Sequence, residues 1–276
     1  MPRRTDRQVF VSVDWLAEQL DDEQVRIIDA RYAYPNEQPQ GEDMYTANHI
    51  PGAIFVHWRR DLSLNTPPVP NLLLGPDAFA AKMGELGVDA DTTVVVYDMG
   101  HVIWAARIWW ALRYYGHDKV YVLEGGSAAW EAAGKPLTTE VVHPSAKTFV
   151  PRIRPEMRAS KAQVRAAVED PDTTIIETRR EAGIREAGGT VKGAFWLPST
   201  TVFASKENYH SLISEAELDG YLKEIGADHS CSGGCWRHDC LTIRVGSSAV
   251  LIGDGFVLAG GARQDRVVRK PKDPPQ

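Results

Sequence analysis

The feature that most constrains this chain is an internal repeat. Residues 25–31 (Val-Arg-Ile-Ile-Asp-Ala-Arg) form an apolar run that ends in an acidic residue and an arginine, and residues 174–179 (Thr-Ile-Ile-Glu-Thr-Arg) return that pattern about 148 residues later. Each run is short, β-branched and bounded by turn residues, as expected of a parallel strand buried on both faces. A second pair follows: Asn48-His49-Ile50-Pro51-Gly52-Ala53 and Thr190-Val191-Lys192-Gly193-Ala194 each read as a glycine turn, then alanine, then a short apolar strand. A helix over 77–86 ends at Gly87, and its counterpart over 214–225 ends at Gly226. Ser214 followed by Glu217 is a capping box, and both glycines suit helix C-caps. The pattern predicts two copies of one α/β unit, each a mainly parallel sheet flanked by helices.

The first copy continues with a strand over 93–97, a tryptophan-rich helix over 103–115, a strand over 120–123, and a Gly125-Gly126 turn into a short helix. Trp58, Trp104, Trp109 and Trp110 read as packing residues. The expected domains are an N-terminal one over 1–140, a proline-containing linker over 141–157, a C-terminal one over 158–262, and a basic, proline-rich, disordered tail over 263–276. The second copy departs from the first after about residue 229. No apolar strand follows Asp228; instead comes His229-Ser230-Cys231-Ser232-Gly233-Gly234-Cys235-Trp236-Arg237-His238-Asp239-Cys240. At the offset that aligns Leu86 with Ile225, Asp98 maps onto Arg237. The segment from about Ser230 is therefore read as a divergent loop, an unrelated extension, or a stretch in a shifted frame. Translating the other two frames of the gene separates these.

These residues resemble the tandem-domain rhodanese family, the thiosulfate and 3-mercaptopyruvate sulfurtransferases. The resemblance rests on Ile28-Asp29-Ala30-Arg31, His49-Ile50-Pro51-Gly52-Ala53, Val96-Tyr97-Asp98, and Leu123-Glu124-Gly125-Gly126 with Trp130. It implies two rhodanese-like domains, with the last third of the second atypical. It also implies transfer of a sulfane sulfur from thiosulfate or a similar anionic donor to a thiophilic acceptor, by way of a cysteine persulfide and with no organic cofactor. In the family an aspartate commonly stands at the nucleophile position of the first copy, which Asp98 matches, so that copy is expected to be non-catalytic. The resemblance makes Cys231 the candidate nucleophile. Gly233 and Gly234 would bring loop amides to it, while Arg179 and Arg237 would bind the donor. The chemistry requires a thiolate, which inward-pointing peptide N–H groups and a fixed cation can stabilise.

Alternatives stand beside this reading. Cys231 to Arg237 is also C-x5-R, the spacing of cysteine-dependent phosphatases. Cys231, Cys235, His238 and Cys240 have the ligand types of a zinc site at cramped intervals, and no metal is assigned. The cysteines could also be incidental to the loop, leaving a catalytically silent module that binds a small anion or a protein. Asp98 reads better as a helix cap ahead of Ile103 than as an acid, His49 as a turn residue, and an ion pair is the plainer role for Arg31 and Arg179.

A net charge of −6 and a pI near 5.8 argue against broad binding to nucleic acid or an anionic membrane. No apolar run approaches the ~20 residues of a membrane span, and no signal peptide follows the arginines at 3, 4 and 7. Three cysteines, all between 231 and 240, exclude a disulfide scaffold and fit a reducing, cytoplasmic setting.

Overall fold

The computed structural model describes residues 9–65, 71–170, 174–203, 213–224 and 249–252. In chain order the elements up to residue 132 are β1 (Phe10–Val11), α1 (Val13–Ala17), β2 (Val25–Asp29), α2 (Gly41–Ala47), β3 (Ala53–Phe55), α3 (Trp58–Asp61), β4 (Ser63–Leu64), β5 (Leu72–Leu73), α4 (Pro76–Glu85), β6 (Thr93–Tyr97), α5 (Ile103–Tyr114), β7 (Val120–Leu123) and α6 (Gly126–Ala132). From residue 161 onward come α7 (Lys161–Glu169), β8 (Thr174–Glu177), α8 (Glu181–Glu186), β9 (Phe195–Trp196), α9 (Glu215–Glu224) and β10 (Ala249–Ile252). The contacts divide into two compact units, with the chain passing from one to the other between Pro155 and Glu156.

The first unit is built on a sheet of order β1-β7-β6-β2-β3, with all neighbours parallel. Its central strands are near-continuous apolar runs because helices cover both faces. Val25 and Ile27 of β2, with Val95 and Tyr97 of β6, face a core shared with Leu16, Ile50 and Trp130. On α5, Trp104 through Leu112 are all buried, Arg107 included with its guanidinium over the Trp110 ring, so the helix is enclosed around its whole circumference and packs on β6 and β7. The tryptophans serve as packing residues: Trp58 stacks on Trp104 with ring centroids 5.2 Å apart, and Trp109 Nε1 donates to the Val120 carbonyl.

Of residues 141–157, read from the sequence as a linker, 141–154 run along the first unit as an extended strap and Pro155–Met157 form a single 3-10 turn. The amides of Lys147, Arg152 and Arg154 donate to the carbonyls of Gly84, Tyr115 and Tyr114. Lys147 Nζ lies 3.4 Å from the Asp89 carboxylate, and Arg154 pairs with Asp118 at 2.7 Å. Phe149 is buried edge-on against Phe79, beside His117.

His117 is itself buried, and its Nε2 has no hydrogen-bond partner among the described residues. Desolvation therefore pushes its pKa below the ordinary 6.5. As pH falls below that ordinary value the unfolded chain takes up a proton that the folded chain refuses, so stability is complete above it and declines with acid. The expected result is a lower denaturant midpoint at pH 5.5 than at pH 7.5, with a smaller difference in His117→Gln. An unchanged pH slope in that variant would refute this account.

The second unit holds a parallel sheet of order β10-β8-β9. Ser160 and Gln163 form a capping box at the start of α7, and Val164, Ala167 and Ile175 make a small core. Ser214 and Glu217 cap α9 as their spacing predicts. The stretch after Asp228, read from the sequence as divergent, lies outside the described residues up to β10. β10 lies on the side of β8 that β6 occupies beside β2, with Ala249 opposite Thr174 and Ile252 opposite Glu177. The physical reason is local: Ala249-Val250-Leu251-Ile252 is an apolar, partly β-branched run, able to pair along an open strand. The expected disordered tail over 263–276 lies outside the described residues.

Candidate active site

In an open parallel sheet, ligands gather at the carboxyl ends of the strands. In the first unit the loop leaving β6 places Asp98 there, 2% exposed. Its Oδ1 accepts from the amides of Gly100 (2.8 Å) and Val102 (3.0 Å), and its Oδ2 from those of Trp104 (3.1 Å) and Ala105 (3.3 Å). The last two belong to the first turn of α5, so the carboxylate caps the helix and sits at the positive end of its dipole. The assigned N-cap, Val102, contributes no side-chain bond and adopts φ 64°, a left-handed conformation costly for a β-branched residue. The loop is thus an inward-facing amide cradle filled by the chain's own anion. Gly126 closes it from behind: at φ 57°, its added Cβ would lie 2.3 Å from the Asp98 carbonyl oxygen, so only glycine fits.

Beneath the cradle lies a buried polar network. Arg31 Nε and Nη2 donate to Asp29 in a two-pronged pair, Nη2 also donates to the Asn48 carbonyl at 2.6 Å, and Tyr97 Oη donates to Asp29 at 2.6 Å. Burial acts to lower the Arg31 pKa, but the Asp29 bonds and charge outweigh it and the net direction is upward. Burial, reinforced by the Asp29 charge, pushes the Tyr97 phenol well above its ordinary range. Sequence reasoning missed the part played by Tyr97. Its only sequence signal was a tyrosine closing an otherwise aliphatic strand. His49 is buried and stacked on Tyr45, with both ring nitrogens at hydrogen-bond distance from carbonyls, those of Tyr45 (2.8 Å) and Glu140 (3.0 Å). It fastens a turn.

In the second unit, Arg179 is the one candidate site residue among those described. It pairs with Glu177 at 2.6 Å and also donates to the Gly189 carbonyl at 3.3 Å. Cys231, Gly233, Gly234 and Arg237, with Cys235, His238 and Cys240, lie outside the described residues. So do the cysteine loop of the phosphatase alternative and the zinc alternative. The residue following β10 in sequence is Gly253.

The Rhodanese-like domain family matches residues 12–133. The chain is 36% identical over 243 residues to the 3-mercaptopyruvate sulfurtransferase of Escherichia coli K12, covering 82% of this chain and 84% of that protein. It is 29% identical over 283 residues to thiosulfate/3-mercaptopyruvate sulfurtransferase 2 of Arabidopsis thaliana, covering 89% and 82%. Among solved structures, SseA from Escherichia coli superposes with a TM-score of 0.72 at 35% identity, over 80% of this chain and 85% of that one. The 3-mercaptopyruvate sulfurtransferase of Leishmania major, at 23% identity and a TM-score of 0.68, shares the fold.

Proposed function

This chain belongs to the rhodanese family, and we propose on that footing that it is a sulfurtransferase, carrying a sulfane sulfur from a small anionic donor to a thiophilic acceptor. The observation that carries the reading is the 36% identity to a 3-mercaptopyruvate sulfurtransferase along most of both chains, reaching past the first unit. The second unit is read as a second rhodanese-like domain, which the return of the β2 and turn patterns at β8 and 189–194 supports. Asp98 makes the first unit non-catalytic, because its carboxylate already occupies the cradle. The sulfur carrier is then Cys231, with amides of Gly233 and Gly234 and the charge of Arg237 holding the anion. Its thiolate attacks the outer sulfur of thiosulfate, the donor S–S bond breaks, sulfite leaves, and a persulfide remains. An acceptor such as cyanide or a thiolate takes the terminal sulfur and restores the thiolate.

The test is direct. Thiosulfate should add about 32 Da, one sulfur, to the peptide bearing Cys231, and Cys231→Ser should lower thiosulfate:cyanide turnover by roughly 10³-fold or more. A folded wild-type protein that never acquires the extra sulfur would overturn the reading. One observation favours a second reading, a catalytically silent module. β10 pairs with β8 on the side that β6 takes beside β2, and the residue that follows β10 in sequence is Gly253, which carries no nucleophile.

A further inference from the structure

The two units repeat more than a strand. In the first, Arg31 grips Asp29 two residues back along β2 and reaches across to the carbonyl of Asn48, at the head of the turn that feeds β3. In the second, Arg179 grips Glu177 two residues back along β8 and reaches across to the carbonyl of Gly189, at the head of the turn that feeds β9. Asn48 and Gly189 stand at the same place in the two turns, and the correspondence continues residue by residue. Gly52 and Gly193 have φ 78° and 80°. The amide of Ala53 bonds the Ile50 carbonyl, and that of Ala194 the Val191 carbonyl. The amide of Val56 bonds the Asp29 carbonyl, and that of Leu197 the Glu177 carbonyl. In the first unit this arginine is walled in, 5% exposed, and serves only the architecture.

Arg179 makes the same bonds in the same order. Its backbone amide and Nε each donate to Glu177 Oε1, at 3.0 and 2.9 Å, and its Nη2 donates to Oε2 at 2.6 Å. The Glu177 carboxylate is fully buried and takes one more bond, from Thr190 Oγ1 at 2.7 Å. The second clamp therefore closes on its own turn, where the first takes a hydroxyl from Tyr97 on the neighbouring strand. The segment around Arg179 also fixes the chain after β9. Trp196 Nε1 donates to the Arg179 carbonyl and the Ser199 amide to that of Thr178. Residues 177–180 and 197–199 together rim the carboxyl end of this sheet, the edge at which a parallel sheet presents its ligand.

We infer that Arg179 is a positioning residue: it acts on the sulfur-transfer site through Glu177 and the turn at 189–193, fixing the rim at the end of β8 and β9, and does not hold the donor anion. The inference deepens the function proposed above and rests on it for the chemistry of the site. The Nε–Nη2 edge of the guanidinium, the edge that would take an oxyanion side-on, is committed to a buried carboxylate, and turning it to an external anion would leave that carboxylate unpaired in the interior, which is strongly unfavourable. Lysine keeps the charge but loses the fork, so it cannot replace arginine in this geometry.

The experiment compares Arg179→Lys, Arg179→Met, Glu177→Gln and the Glu177→Gln/Arg179→Met pair in the full-length protein. One arm is steady-state kinetics with thiosulfate and cyanide; the other is backbone hydrogen exchange over residues 195–199. If Arg179 positions, all four variants lose kcat alike, by about tenfold. KM for thiosulfate stays within about threefold, the double variant is no worse than the worse single one, and the Leu197 and Ser199 amides exchange at least about tenfold faster. If Arg179 grips the donor, KM rises more than about tenfold in Arg179→Met and partly recovers in Arg179→Lys, while Glu177→Gln and the exchange rates stay near wild type; that pattern overturns the inference. A wild-type protein that transfers no sulfur would sink the proposed function instead. The exchange arm, which needs no activity, would then decide the clamp by itself.

Discussion

Asp29→Ala is expected to destabilise the first unit by about 3–5 kcal/mol, because it leaves a buried charge without its partner. The carboxylate is fully buried and receives Arg31 through both Nε and Nη2, the Arg31 amide, and the Tyr97 hydroxyl. Removing it strands a guanidinium that is 5% exposed and is left donating to the Asn48 carbonyl. It also strands a phenol that burial keeps neutral. At roughly 2–4 °C per kcal/mol for a domain near this size, the first thermal transition should drop by about 6–20 °C. Asp29→Leu combined with Arg31→Met should recover most of that loss, since replacing both members of a buried pair with apolar groups of similar volume is often neutral. Equilibrium unfolding of the two variants side by side decides the matter. A loss below about 1 kcal/mol in Asp29→Ala would show that the pair contributes no such constraint.

Phe149→Ala is expected to cost about 3–5 kcal/mol and to free the strap. This phenylalanine lies outside every regular element, yet it is buried against Phe79, and its neighbours on the strap donate main-chain bonds to Gly84, Tyr114 and Tyr115. The approach at Gly116 is close enough that a Cβ there, at φ 87°, would stand 2.7 Å from Arg152. Gly116→Ala should therefore reproduce the release without touching the aromatic contact. Limited proteolysis across 141–154, read alongside urea midpoints, is the measurement. Cleavage no faster in either variant than in wild type would mean that the strap is held by something other than these contacts.

The strands β2, β3, β6 and β7 and the helices α4, α5 and α6 of the first unit were legible from residue pattern because they depend on local periodicity. The strand over 93–97 and that over 120–123 fall where their apolar, β-branched runs begin and end. The helix after Val102 follows from a long run rich in tryptophan and alanine, and the turn at Gly125 from glycine's access to positive φ. Ser214 and Glu217 fixed the start of α9 through one short-range reciprocal bond pair. For the site, the sequence singled out Asp98 as a capping residue and Arg179 as a strand-end arginine with an acidic neighbour. Both are statements about residues only a few positions apart.

What the amino-acid sequence determined by itself is the parallel-strand α/β unit of the first part of the chain and its resemblance to the rhodanese family. Burial on both faces of a sheet imposes a composition and period visible within any six residues, and the motifs of the first unit sit in order. What only the tertiary structure decided are relations between distant parts. The Asp98 amides converge because α5 starts where β6 ends. The Tyr97 hydroxyl meets Asp29 across 68 residues of chain. The strap at 141–154 is stitched to α4 and α5 without any periodicity of its own. β10 fills the place beside β8 after a long intervening segment. The physical reason is common to all four. Strand and helix patterns are set by each residue's own neighbours, whereas a carboxylate, a phenol or an open strand edge is satisfied by whichever group the completed packing brings within about 3 Å.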